Sequence, residues 1–132
     1  MSETYVITFR VRPAQRARFL ALLNPVLDKM RHERTFRYAA LHVDLDDENR
    51  FQLHETWTDR QDVLEVQLKR PYRQAWHAAL DKLLECPRDI QSWNLLRSDA
   101  AARSGRAAKS KQPNWRSRSP GPKPRKNDGD FN

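Results

Sequence analysis

Residues 51 to 57 of the chain read FQLHETW. Side chains alternate across a strand, so Phe51, Leu53, Glu55 and Trp57 share one face, and Gln52, His54 and Thr56 the other. A carboxylate among three large apolar groups is partly desolvated, and its pKa rises unless an arginine or a backbone donor holds it charged. Such a group is a candidate general base for a phenolic proton, which makes Glu55 the first candidate catalytic residue. The alternative is that Glu55 accepts hydrogen bonds at the strand end and only organises the fold. Histidine is the usual proton acceptor near neutrality, and the chain has four, at 32, 42, 54 and 77. No pair among them has a metal-ligand spacing, so no metal is expected. His54 is expected to point toward a subunit contact, and His77 lies beside the apolar stripe of its helix, nearer Asp81 than Leu80. Both are secondary candidates for catalysis.

These residues must be positioned by a small set of elements. Residues 4 to 12 alternate, with Tyr5, Ile7, Phe9 and Val11 on one side, which predicts a half-buried strand. Pro13 then opens a helical pattern in which Phe19, Leu23, Val26, Leu27 and Met30 form one stripe. Pro25 either bends that helix from its outer side, or Asn24 caps a second short one. A second strand is expected from Phe36 to Asp44, and the acidic turn LDDEN joins it to the strand carrying Glu55. Thr58 and Asp59 offer N-cap chemistry for a short helix holding Val63, Leu64 and Val66. Pro71 starts another, with Tyr72, Trp76, Ala79, Leu80 and Leu83 on one face. Pro87 ends it, and DIQSWNLL reads as a final strand.

The order β-α-β-β-α-α-β predicts an α+β fold, a ferredoxin-like split β-α-β with a four-stranded antiparallel sheet and helices on one face. Tyr5, Phe9, Phe51, Leu53, Trp57, Tyr72 and Trp76 then lie between sheet and helices, as core or as the lining of a dry pocket for a planar aromatic substrate. Thr8, Arg10, Gln52, His54 and Thr56 occupy the second face. Solvent accounts for them, and so does a symmetric contact between two sheets, which would supply burial that a small body lacks.

Composition narrows the chemistry further. Residues 1–97 carry 16 basic against 14 acidic side chains, and residues 98–132 carry nine against three, so the net charge of +8 belongs mostly to the tail. All three glycines lie beyond residue 97, which excludes a glycine-rich nucleotide cradle in the body. The single cysteine, Cys86, has no intramolecular partner, and no apolar run suits a signal peptide or a membrane span. A cytoplasmic setting is expected. The division is a body over 1–97 and a basic, disordered tail over 98–132, too poor in apolar residues to offset ordering entropy. In that tail Trp115 sits among Arg116 and Arg118, an arrangement that can stack on a base and bind phosphates, or simply keep the chain soluble.

The stretch NRFQLHETWTDRQDVLEVQLKRPYRQAW, residues 49 to 76, resembles the central signature of the antibiotic biosynthesis monooxygenase family, in the dimeric α/β-barrel superfamily. In that signature an Asn-Arg-Phe turn leads into a strand ending in Glu-x-Trp, followed by an acidic short helix and a second helix opened by proline. The resemblance implies a homodimer whose two sheets form a barrel, and a pocket in each subunit between sheet and helices. It also implies cofactor-independent oxygenation of a quinol, anthrone or related polyketide, with Glu55 as the base and the substrate anion itself reducing oxygen. Haem-degrading members of the superfamily make haem an alternative, with His77 as its ligand. A non-catalytic dimeric binding or scaffold module with a nucleic-acid-binding tail is another. The chain departs from the family pattern in three places. Gln67 stands where a histidine is common, Pro71-Tyr72-Arg73 replaces Pro-His-Phe, and Glu33-Arg34-Thr35 replaces Glu-Pro-Gly.

Overall fold

The computed structural model describes residues 2–102. Trp115, Arg116 and Arg118 lie outside the described residues. In chain order the elements are β1 (Glu3–Arg10), α1 (Arg16–Met30), β2 (Phe36–Val43), β3 (Arg50–Trp57), α2 (Arg60–Glu65), α3 (Gln74–Leu83) and β4 (Asp89–Asn94). Short 3-10 turns at Pro13–Gln15 and Pro71–Arg73 lead into α1 and α3, each opened by a proline whose missing N–H costs nothing at a helix start. The sheet runs β2-β3-β1-β4 with every neighbour antiparallel. This is the α+β, ferredoxin-like arrangement that the element order predicts.

One sheet face is buried against the helices. Phe19 of α1 is fully buried and sits 5.1 Å from Phe9, 4.8 Å from Phe51 and 5.4 Å from Trp76, ring centre to ring centre. The α1 stripe Phe19, Leu23, Val26 and Met30 and the α3 stripe Trp76, Ala79, Leu80 and Leu83 complete the core with Leu53 and Trp57 of β3. Each of the larger of these side chains contributes roughly 1.5–3 kcal/mol by leaving water, and Ala79 less.

Helix α1 passes through Pro25 without a break. Both Pro25 and Ala21 are exposed, so the carbonyl that loses its helical partner to the proline can be hydrated. The second short helix capped by Asn24 does not form. Asp59 does cap α2, accepting from the backbone N–H of Asp62 at 3.1 Å. Only Val63 of that helix is buried; Leu64 and Val66 are 48% and 39% exposed, so the packed face expected there is a single residue wide.

A bulge in β2 sets which side chains reach the core. Phe36 pairs with Trp57 and Tyr38 with Thr56, so one residue is extra between them. Phe36 packs edge-on at 5.3 Å from the Trp57 ring, whereas Tyr38 is 57% exposed on the opposite face. That second face carries a ladder of side-chain hydrogen bonds: Thr4 to Thr56 at 2.7 Å, Gln52 to Thr8 at 3.3 Å, and His54 to Gln52 at 2.9 Å. His42 meets His54 edge-on at 5.4 Å. Among the described residues no helix is long and apolar enough to cross a membrane.

Candidate active site

Glu55 sits at the centre of the buried face, between Tyr5 of β1 and Ala39 of β2 in the sheet register. Strand alternation brings Trp57 alongside it, and the indole Nε1–H donates to Glu55 Oε1 at 2.9 Å. No other hydrogen bond to this carboxylate occurs among the described residues. Burial pushes its pKa up, and the indole bond and the charges of Arg73 and Arg88 offset that only in part. A carboxylate so placed takes a proton more readily than one in water.

Glu55 lines a cavity of about 270 Å³ between sheet and helices. Tyr5, Phe9 and Leu53 line it from the sheet, Leu23, Val26 and Met30 from α1, and Trp76 and His77 from α3. Leu64, Leu68 and Ile90 also line it, each more than 40% exposed, so the mouth is apolar where solvent meets it. Such a lining favours a flat apolar ligand, and the volume lies just under the ~300–1,000 Å³ usual for drug-sized molecules. A porphyrin is larger than ligands of that class.

Three arginines not among the expected site residues line the same space, and one of them, Arg60, pairs with Glu3 at 2.9 Å. Arg73, on the 3-10 turn before α3, is 5% exposed, and its guanidinium carbon lies 5.9 Å from the Trp57 ring centre and 5.8 Å from that of Tyr72. Its Nε is buried with no hydrogen-bond partner. Arg88 is half-buried in the segment between α3 and β4. The bridge from Val11 to Leu84 and the bond from the Glu85 N–H to the Arg10 carbonyl at 2.8 Å fix where that segment leaves the helix. Burial lowers the Arg88 pKa, Glu55 raises it and Arg73 lowers it again, yet a guanidinium stays charged in all such settings. Neither arginine forms an ion pair with a carboxylate among the described residues.

Other expected site residues are distributed differently. His77 does line the cavity, and its pKa is lowered by burial and then by Arg88 and Arg73. His54 points to the second face, where burial and His42 lower its pKa. Tyr5 donates its hydroxyl to Glu3 at 3.0 Å, and burial with that bond pushes its pKa to about 12, so it remains a neutral donor. Phe51, Trp57 and Tyr72 were expected in the lining and are not part of it. Phe51 is held in the core by Phe19, Trp57 is fully buried behind Glu55, and Tyr72 turns outward to donate to Glu33 at 2.8 Å.

Gln67 and Thr35, two of the positions that depart from the family pattern, meet Glu33, Asp62 and Tyr72 in one polar cluster, whereas Arg73 enters the cavity. Gln67 is buried and donates to Asp62 at 3.0 Å and to Glu33 at 3.4 Å, while Arg70 pairs with Glu33 at 2.9 Å. Thr35 donates to Asp62 at 2.7 Å. Gln67 therefore ties α2 to the segment before β2 and does not line the cavity. Among the described residues no three His, Cys, Asp or Glu side chains come together as a metal site.

The sequence matches the model of the antibiotic biosynthesis monooxygenase family over residues 4–79. No curated protein matches it in sequence. Among solved structures, Rv0793 from Mycobacterium tuberculosis superposes with a TM-score of 0.68 at 22% identity, covering 76% of this chain and 100% of that one. SnoaB, a cofactor-independent oxygenase from Streptomyces nogalater, gives 0.63 at 21% identity, covering 74% and 95%. PA3566 from Pseudomonas aeruginosa gives 0.65 at 21% identity, covering 73% and 95%. At these identities the likeness is one of fold.

Proposed function

Because the chain belongs to the antibiotic biosynthesis monooxygenase family, we propose that it is a cofactor-independent oxygenase acting on a small quinol, anthrone or related phenolic aromatic in the cavity beside Glu55. The observation that carries this reading is a buried carboxylate of raised pKa, held by one indole N–H, in an apolar cavity flanked by two guanidinium groups. The Glu55 carboxylate removes the phenolic or enolic proton. Arg73 and Arg88 stabilise the oxyanion that forms, in a space the apolar lining keeps dry. The substrate anion then reduces dioxygen. One oxygen atom ends on the ring carbon, and the other leaves as water with two hydrogens from the substrate, so no external reductant enters the balance.

The fold likeness to SnoaB, itself described as a cofactor-independent oxygenase, supports the same reading. The polar ladder on the second face, with Tyr38 exposed beside it, suits pairing with a second copy of this chain, and we place a homodimer contact there. The cavity volume favours compact ring systems over extended ones. The test is turnover of naphthohydroquinone and anthrone under labelled dioxygen by metal-free protein. One labelled oxygen in the product from anthrone is expected, and absence of enzyme-dependent product from every substrate removes the reading.

A further inference from the structure

The charge of the cavity does not close. Arg60 reaches it but pairs with Glu3 at 2.9 Å, which leaves one carboxylate, Glu55, against two guanidinium groups, Arg73 and Arg88. Moving a proton from a neutral phenol to Glu55 transfers negative charge from protein to substrate and leaves the total unchanged. With a neutral quinol the site therefore carries one uncompensated positive charge before, during and after proton transfer. An unpaired buried charge is costly, and Arg73 is 5% exposed with its Nε lacking any partner.

Resting on the oxygenase reading for the site, we infer that its substrate arrives already bearing a negative charge, a carboxylate or an ionised enol on the aromatic frame, seated against Arg73 and Arg88. The geometry separates the two tasks. The Arg73 guanidinium lies against the Trp57 and Tyr72 rings, which fix its plane at the cavity wall, and a planar guanidinium binds a carboxylate or an enolate through paired N–H groups. Glu55 remains free to take the phenolic proton from the same molecule. This also gives a reason for an arginine at position 73, inside the buried stripe that continues to Trp76, Leu80 and Leu83.

The experiment compares matched probes by calorimetry with the full chain carrying Cys86→Ser, which removes the exposed thiol that would add to a quinone: 2-naphthoate against naphthalene-2-carboxamide, and 2-hydroxy-1,4-naphthoquinone, ionised at neutral pH, against 1,4-naphthoquinone. At least one anionic probe is expected to bind about tenfold or more tightly than its neutral partner, a factor equivalent to about 1.4 kcal/mol. Which pair discriminates tells carboxylate from enolate. Arg73→Gln is expected to abolish the discrimination and Arg73→Lys to retain part of it. If Arg73→Gln does not fold, Arg88→Gln replaces it with the same expectation. Equal affinity within both pairs, no binding of any probe, or discrimination undiminished in the folded variant overturns the inference. Failure of the oxygenase reading looks different: discrimination in binding without oxygen uptake keeps the anion site and removes the oxidation. Equal uptake rates with neutral and anionic quinols do the reverse.

Discussion

Trp57→Phe isolates the hydrogen bond that sets the basicity of Glu55. In the parent the indole Nε1–H reaches Oε1 at 2.9 Å, with donor and acceptor both buried. This bond favours the ionised carboxylate, against the burial that disfavours it. A hydrogen bond to a charged group is worth about 1.5–3 kcal/mol, so losing it raises the Glu55 pKa further. The acid limb of kcat/KM against pH should move to higher pH, because the free enzyme's base must be ionised to act. The rate on the high-pH plateau should fall much less, since phenylalanine keeps most of the ring that packs against Phe36. Near-ultraviolet circular dichroism confirms that the core is retained. An acid limb that stays in place, or moves down, refutes the assignment of Glu55 as the base whose charge this indole supports.

The raised pKa of Glu55 has a stability consequence of defined sign. The folded state holds the proton above the ordinary glutamate value of 4.5, so stability falls as pH rises from there through the folded pKa; Glu55→Gln should therefore melt higher than the parent at pH 7 and converge with it below about pH 4. The cluster around Glu33 and Asp62 behaves oppositely. For Glu33, burial raises the pKa but the bonds from Tyr72, Gln67 and Arg70 outweigh it, and for Asp62 the bonds from Gln67 and Thr35 lower it, so both end below their ordinary values. Their stabilisation is present at neutral pH and lost as pH falls through those lowered values. Urea titrations should show a steeper acid loss in the parent than in Glu33→Gln or Asp62→Asn. For the proposed dimer, His54→Glu places like charges near the two-fold contact, and sedimentation should change from dimer to monomer while far-ultraviolet dichroism is retained. A parent that sediments as a monomer at micromolar concentration sinks that contact.

The parts of the site that follow from a short period were legible in the sequence. Glu55 and Trp57 are two residues apart on one strand, so alternation alone puts the donor beside the acceptor. The stripe from Phe19 to Met30 and that from Trp76 to Leu83 follow from helical spacing, and the proline and aspartate starts from local capping chemistry. What escaped depends on tertiary packing. Arginine is ordinarily a surface residue, and Arg73 stands out in the sequence only as a departure from the family pattern; its position three residues before Trp76, on the buried stripe, was the available signal. Arg88 follows Pro87 in a connecting segment, and only the pairing of residues 84 and 85 with the end of β1 brings it to Glu55, so no local pattern announces it. The helical face of Tyr72 points to the pocket, but Glu33 offers its hydroxyl a partly buried acceptor on the other side. The bulge between Phe36 and Tyr38 is equally silent, because one extra residue in a strand carries no composition of its own.

The most direct test of the account is oxygen uptake by metal-free parent and by Glu55→Gln, each offered the same quinol or anthrone at saturating concentration near neutral pH. The account predicts uptake by the parent and a loss of at least about a hundredfold in the variant, the low end for a positioned general base, in a protein that is folded and melts no lower than the parent. Equal uptake by the two, or a variant that loses uptake only because it no longer folds, would contradict it and return Glu55 to a structural part.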